Sequence, residues 1–370
     1  MAESATVEPK QSSLVKVISW VPRIIISLIV PILGFLALRW SFNFMRDAEA
    51  NKILVAIVAL VIGVGAVWAL YLFTDYIVSL LPEGIRETIR PFVFVGPALV
   101  ILVVYLVYPL VETLYRSFFD ARSENFVGLE NYAFALTNPE MTIAFRNNVL
   151  WLIVVTSFVV GLGLIVAVMV DRIGRWEPIA KAFIFLPMAI SAVGASVIWK
   201  FVYSFQPIQR PQIGLLNAIL TALGGDPQGW LILKPWNNLF LIFIMIWILT
   251  GFAMVVLSAA VKGVPAELLE ASRIDGASEV RIFFSVIIPT IRGTLITITI
   301  TVLIMVLKVF DIVFVMTSGQ HDTEVIANRM FREMFTFRNF GRGSALAVFL
   351  LLAVIPVIIY NIRDFEATRR

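Results

Sequence analysis

The 370-residue chain has no cysteine and one histidine, His321. The first absence excludes a disulfide framework, thiol catalysis and cysteine-ligated metal or iron–sulfur centres. The second excludes two-histidine metal motifs such as HExxH. Charge is scarce: 15% of residues are charged, against about a quarter in a soluble domain. No GxxxxGKS/T stretch occurs, so no phosphate-binding loop for ATP is present. Alternating strands of about ten residues, the mark of a membrane barrel, are missing, as are internal repeats and low-complexity segments. No nucleophile–base or metal constellation is visible, which argues against a membrane enzyme.

What fills the chain is apolar: 60% of it is hydrophobic. The runs are long enough to cross a bilayer as helices, which takes about 20 residues each. Eight spans are expected, near 22–38, 53–73, 92–114, 149–170, 182–204, 239–261, 290–316 and 344–362. The first is short and interrupted by proline. The fold class is therefore an all-α polytopic membrane protein. The net charge of +4 needs no nucleic acid, because lysines and arginines at membrane edges account for it. The polar first 19 residues do not read as a cleaved signal peptide.

Residues 115–148, 205–238 and 317–343 form long connections on one side. Residues 171–181 and 262–289 lie on the other, with both termini. Lysine and arginine divide almost evenly between the sides, so charge bias leaves the orientation open. Within 317–343, Ile326, Met330, Phe331, Met334 and Phe335 share one helical face, while Arg329, Arg332 and Glu333 lie elsewhere on the circle. Thr323 is placed to cap that helix. IGLLNAILTALGG, from 213, reads as a second short helix ended by Gly224–Gly225. Each fits either a helix lying in the membrane interface or a lid on the bundle.

The stretch PAELLEASRIDGASEVRIFFSVIIP, residues 265–289, is charged yet flanked by apolar spans. Pro265 suits a first helical turn, and acids there favour the helix dipole. Leu268, Leu269, Ala271 and Ile274 supply apolar positions to a helix over 265–274. Asp275–Gly276 is a turn signal. A second helix starts near 278, with Val280, Ile282, Phe283, Val286 and Ile287, and Pro289 ends or kinks it. An ordered loop where a short connection would suffice points to a docking element for another protein.

Glu270, Ala271, Ser272, Asp275, Gly276, Ala277, Phe283, Val286, Ile288 and Pro289 resemble the E-A-A-x-x-x-G-x(9)-I-x-L-P signature of binding-protein-dependent ABC importer permeases. Ser272, Val286 and Ile288 depart mildly from it. Residues 126–151, 186–220, 247–277 and 307–335 are similar to maltose-type carbohydrate permeases, and the last two stretches to alpha-glucoside permeases in particular. The resemblance covers about 90–365. It implies a six-helix type I importer core over 91–363, preceded by two additional helices in 22–90, with cytoplasmic segments 1–21 and 364–370. It makes 262–289 a cytoplasmic coupling helix seated on an ATPase, with Glu267, Glu270, Ala271, Ser272, Arg273, Asp275, Gly276, Ala277, Phe283 and Pro289 as coupling residues. It puts both termini in the cytoplasm and the chain in the inner membrane. The implied partners are a second homologous permease subunit, two ATPase subunits that bind ATP and Mg, and an extracytoplasmic sugar-binding protein. No cofactor or metal is expected in the chain itself.

Lys308 and Asp311 sit at i, i+3 in the seventh span, near its outer end, where they can pair. They read as an outer gate or sugar contact, or as an ion pair that fixes helix packing. Trp151, Trp199, Tyr203, Trp247, Asn147 and Asn148 offer flat faces and hydrogen bonds to a sugar; tryptophans at span ends also serve as interface anchors. Two other transport readings stay open: a permease for a non-sugar solute, and a stand-alone secondary transporter. The second is disfavoured by the lack of matched broken halves and of a mid-membrane coupling carboxylate.

Overall fold

A computed structural model of the chain describes residues 13–46 and 51–369. Most of the expected segment 1–21, with residues 47–50 and Arg370, lies outside the described residues. The described chain is helical, and its one β-type pairing is an isolated bridge between Phe119 and Phe126. Packing divides the chain into two units, 1–109 and 110–370.

The first unit holds α1 (Ser13–Arg46), α2 (Lys52–Ser79) and α3 (Glu83–Leu102). Asp75 of α2 pairs with Arg90 of α3 at 3.1 Å, and Tyr71 meets Phe94 at 4.9 Å between ring centroids. Apolar side chains such as Leu60, Val67 and Trp68 are exposed, which suits helices surrounded by lipid. The interruption expected at proline in the first span does not occur. α1 continues through Pro22 and Pro31, as membrane helices tolerate proline by local adjustment.

The helical run begun by α3 passes through a π turn (Val103–Val107) into α4 (Tyr108–Arg116). Tyr108 N–H donates to Val103 O, five residues back. The next residue is Pro109, whose ring would clash with the carbonyl four residues back in a regular helix; the wider turn moves that carbonyl aside. The same device recurs before Pro289, where Ile288 N–H donates to Phe283 O.

The second unit is built on α6 (Pro139–Val170) and α10 (Asn237–Lys262), which share the most extensive helix contact. Trp151, Val155 and Val159 of α6 are fully buried with Leu241, Met254 and Leu257 of α10. α14 (Arg292–Leu307) adds Ile298, Val302 and Val306. α5 (Glu130–Thr137) precedes α6, and α17 (Phe340–Arg369) closes the unit. Seven described helices are long and apolar enough to cross a membrane, and a bent pair makes an eighth when counted as one span.

That pair corrects the fifth expected span. It is not a continuous helix over 182–204. α7 (Glu177–Phe185) gives way to a 3-10 turn (Leu186–Ala189), and α8 (Ala192–Val202) leaves at 97°. Pro187 and the extended Ile190 interrupt the ladder, and Ser191 caps α8 by accepting Gly194 N–H at 3.1 Å. α7 reaches this corner by resting on Gly251 of α10. A Cβ there would lie 2.3 Å from Ile184 O and 2.7 Å from Phe185 Cα.

The three long connections meet at one end of the unit. α9 (Leu215–Ala222) ends at Gly224–Gly225 as expected. Buried Asn217 ties it to Ser204 O and Gln228 O, while Leu215, Ile219 and Leu223 stay exposed, as an interfacial helix requires. The partner segment is different. α16 (Ile326–Phe331) and a π turn (Arg332–Thr336) form a lid, in which Ile326 and Met330 of the apolar face pack inward and two of the charged residues are buried with them. Arg329 and Glu333 are buried and paired at 2.8 Å, while Phe335 is 65% exposed. Glu324 pairs with Arg332 at 2.9 Å, and Glu140 of α6 also meets Arg329. The pairing offsets desolvation. Thr323 does not cap α16; its buried hydroxyl donates to Gln320 O, and Val325 precedes the helix without a side-chain cap.

Candidate functional site

The far end of the second unit carries a two-helix handle. α11 (Ala266–Ile274) follows Pro265, and α12 (Glu279–Ile282) follows Ser278, whose Oγ accepts Arg281 N–H at 3.3 Å. Between them, Gly276 takes φ +79°, a left-handed conformation that glycine adopts without strain. Ala277 N–H closes the end of α11 on Ser272 O at 3.0 Å, the bonding expected when glycine terminates a helix. A π turn (Phe283–Ile287) and α13 (Ile288–Thr290) lead into α14.

The inner face of the handle is anchored. Val264, Ile282, Ile287 and Ile291 are buried, and Leu269, Ala277, Phe283, Val286 and Ile288 pack on the same core. Its outer face is open. α11 has no buried residue, Ile274 is 86% exposed, and Leu268 and Val280 are exposed with it. Glu267, Glu270, Ala271, Arg273, Asp275, Gly276 and Pro289 are exposed, and Ser272 is half-buried with its hydroxyl donating to Leu268 O.

One carboxylate clasps the bend. Glu279 accepts from Arg273 Nε at 2.9 Å and from Arg172 Nη2 at 3.0 Å. The hydrogen bond from Arg273 holds the Glu279 carboxyl below the ordinary 4.5, against a smaller opposing effect of desolvation and with help from the Arg172 charge. A depressed carboxylate pKa adds order above the ordinary value and loses it as pH falls through the lowered one. Amide exchange over 273–282, corrected for intrinsic rate, should thus be flat from pH 7 to 5 and should quicken below 4.5. In Glu279→Gln it should already be faster at pH 7 and lose that acid dependence; equal exchange in both proteins at pH 7 would discard the clasp.

The sequence reading missed Arg172. It lies in the loop after α6, 107 positions from Glu279, and nothing local signals the pairing.

The aromatic candidates do gather. Trp199 lies against Tyr203 at 5.2 Å, Phe243 at 5.3 Å and Trp247 at 5.6 Å between centroids. The buried Tyr203 hydroxyl donates to Phe240 O at 3.1 Å, while the buried Trp199 Nε1 has no partner. The asparagines and Trp151 are elsewhere. Trp151 is wholly buried in the core. Asn147 donates to Asp322 O and Glu324 O, and Asn148 Oδ1 accepts Ile326 N–H. With Asn237 and Asn238, which donate to His321 O and Asp322 O, they hold the loop before α16. His321 and Asp322 there have φ of 57° and 62°.

Lys308 and Asp311 are both exposed, and their expected pairing is not among the ion pairs of the described residues. The i, i+3 argument needed a continuous helix. α14 instead ends at Leu307, and α15 (Asp311–Met316) starts anew after Phe310, whose ring is held by Phe314 and Phe331, each at 5.1 Å.

Residues 140–366 match the family described as the binding-protein-dependent transport system inner membrane component. The osmoprotective compounds uptake permease protein GgtC of Synechocystis sp. is 61% identical over 277 residues, covering 75% of this chain and 99% of that protein. The alpha-glucoside transport system permease protein AglF of Rhizobium meliloti is 51% identical over 286 residues, covering 77% and 84%. Among solved structures, a chain of a bacterial ABC transporter involved in import of the acidic polysaccharide alginate superposes with a TM-score of 0.66 at 19% identity, covering 77% of this chain and 99% of that one. That likeness gives the all-helical fold of an ABC importer permease.

Proposed function

Because the chain belongs to the family of binding-protein-dependent transport system inner membrane components, we propose that it forms half of the pathway of an ATP-driven importer for a di- or oligosaccharide, an α-glucoside in particular. Two ATPase subunits bind ATP and Mg, a second homologous permease completes the pathway, and an extracytoplasmic binding protein delivers the sugar. The chain lies in the inner membrane with both termini and the handle in the cytoplasm. The observation that carries this reading is the handle, rigidly rooted yet exposing Leu268 and Ile274 on a helix with no buried residue. An ATPase groove would cover that face, with Glu267, Glu270, Arg273 and Asp275 around its rim.

Closure of the ATPase dimer then moves the handle, and the spans alternate between inward-open and outward-open states. A near-complete shift of such a two-state equilibrium needs about 5.5 kcal/mol of differential binding, which ATP and the loaded binding protein supply. The Trp199–Tyr203–Trp247 group offers flat apolar faces for a sugar ring. Lys308 and Asp311 stand at the break between α14 and α15 as candidate gate charges, and Asn148 supports the lid by accepting Ile326 N–H.

The test is uptake by the complete transporter in proteoliposomes. Maltose, sucrose and trehalose should stimulate ATP hydrolysis and enter only with an active ATPase. Leu268→Asp with Ile274→Asp should lower uptake at least tenfold while leaving the thermal unfolding midpoint of the isolated chain unchanged. Uptake that survives a hydrolysis-dead ATPase would refute the reading. The name of GgtC favours a second substrate, an osmoprotective solute; stimulation by betaine and not by any glucoside would establish that alternative.

A further inference from the structure

Beside the handle is a cluster of charges that the reading above does not use. Asp171 caps the end of α6 and is nearly buried. It pairs with Lys181 Nζ of α7 at 2.8 Å and accepts the hydroxyl of Ser258 of α10 at 2.6 Å. The Lys181 ammonium also pairs with Glu177 Oε1 at 2.6 Å and donates to Ser258 Oγ. Glu177 in turn takes Lys262 Nζ from the end of α10. Two carboxylates, two ammonium groups and a hydroxyl thus join three helices, and the charges balance. Asp171 Oδ2 is buried with no partner of its own.

Such a cluster is a poor way to gain stability, since well-packed apolar side chains commonly do as well. What it supplies is fixed geometry between helix ends. Lys181 lies on α7, the first arm of the 97° bend. Arg172, the residue after Asp171, grips Glu279 of the handle at 3.0 Å. A displacement of the handle therefore pulls on residue 172, hence on Asp171, and through Lys181 on the arm of the bent span. The opposite arm, α8, carries Trp199 of the aromatic group.

We propose that Asp171, Lys181 and Ser258 form a positioning node that carries motion of the coupling handle to the bent span α7–α8. The proposal rests on the reading of 262–289 as an ATPase-docking handle. Coupling between sites requires an element whose arrangement both can bias, and the bent span, tied to the handle at one arm and bearing the aromatic group on the other, is that element.

The experiment uses the complete transporter with its binding protein, loaded with the glucoside that best stimulates the wild type. Lys181→Met should assemble with its partners and keep basal ATP hydrolysis, while stimulated hydrolysis and uptake fall at least tenfold. Lys181→Arg, which keeps the charge, should recover at least a third of the wild-type stimulation. The milder Ser258→Ala should lower stimulated hydrolysis about threefold without changing the basal rate, and it decides the matter if Lys181→Met does not assemble. Stimulation within twofold of wild type in Lys181→Met, equal losses in the Met and Arg variants, or an unaltered Ser258→Ala would each overturn the node. A wild-type complex that no glucoside stimulates would instead refute the proposed function, so the two failures are distinct.

Discussion

Arg329→Met should destabilise the second unit by about 3–5 kcal/mol, the range for removing one partner of a buried ion pair. Arg329 and Glu333 have side-chain exposures of 8% and 2%, and they meet through Nε at 2.9 Å and Nη2 at 2.8 Å. Glu140 leans on the same guanidinium from α6. Without Arg329, the buried Glu333 side chain loses its guanidinium partner, which weakens the lid. Replacing both residues, as Arg329→Met with Glu333→Leu, should recover most of the loss, because no orphan charge then remains. Unfolding midpoints in SDS titration of the purified chain measure both. A single variant as stable as the wild type would mean that the lid is open to water.

Gly251→Leu should cost about 1–3 kcal/mol or more, as overpacking does, and should abolish uptake. The clash falls on backbone: the carbonyl oxygen of Ile184 and the Cα of Phe185 lie within 2.3 Å and 2.7 Å of the first added carbon. No rotamer change relieves a backbone contact, so α7 must leave α10 and the corner between α7 and α8 must open. Gly251→Ala should already show part of the effect. Gly161→Ala on α6 is the control, since nothing lies within 4 Å of a Cβ there; it should match the wild type in SDS midpoint and uptake. Equal behaviour of the Gly161 and Gly251 alanine variants would show that the close approach at the corner is dispensable.

These results bear on a region the sequence represented poorly. Residues 182–204 read as one apolar span because hydropathy sums over a window and is blind to direction. Pro187 and Ser191 were visible, yet either is also compatible with a straight or gently kinked membrane helix. The seventh span shows the same limit: the break at Lys308 is held by rings of Phe314 and Phe331 that local pattern does not bring together. The lid was legible only as one of two placements. Helical periodicity located the apolar stripe of 326–335, and its Ile326 and Met330 do pack inward, but whether charges are buried beside them depends on what waits there. Glu140 and the α6 asparagines lie at that end of the unit, so Arg329 and Glu333 are buried together with Ile326, and Phe335 is left exposed.

The handle was the opposite case. Pro265, the Asp275–Gly276 turn and Pro289 act on their own backbone neighbours, so its two helices and its bend were legible residue by residue. Its clasp was not, because Arg172 reaches Glu279 from across the fold.

Membrane residence, helical class and the presence of an ordered, charged loop followed from composition and short-range pattern, because these depend on solvation of the backbone and on dihedral preferences that each residue carries with it. Packing alone decided the corner at Ile190, the buried Arg329–Glu333 pair, the asparagine-held loop at His321 and the charge node at Lys181. Each of these depends on groups far apart along the chain, whose desolvation and steric fit come into being only when the helices are placed side by side.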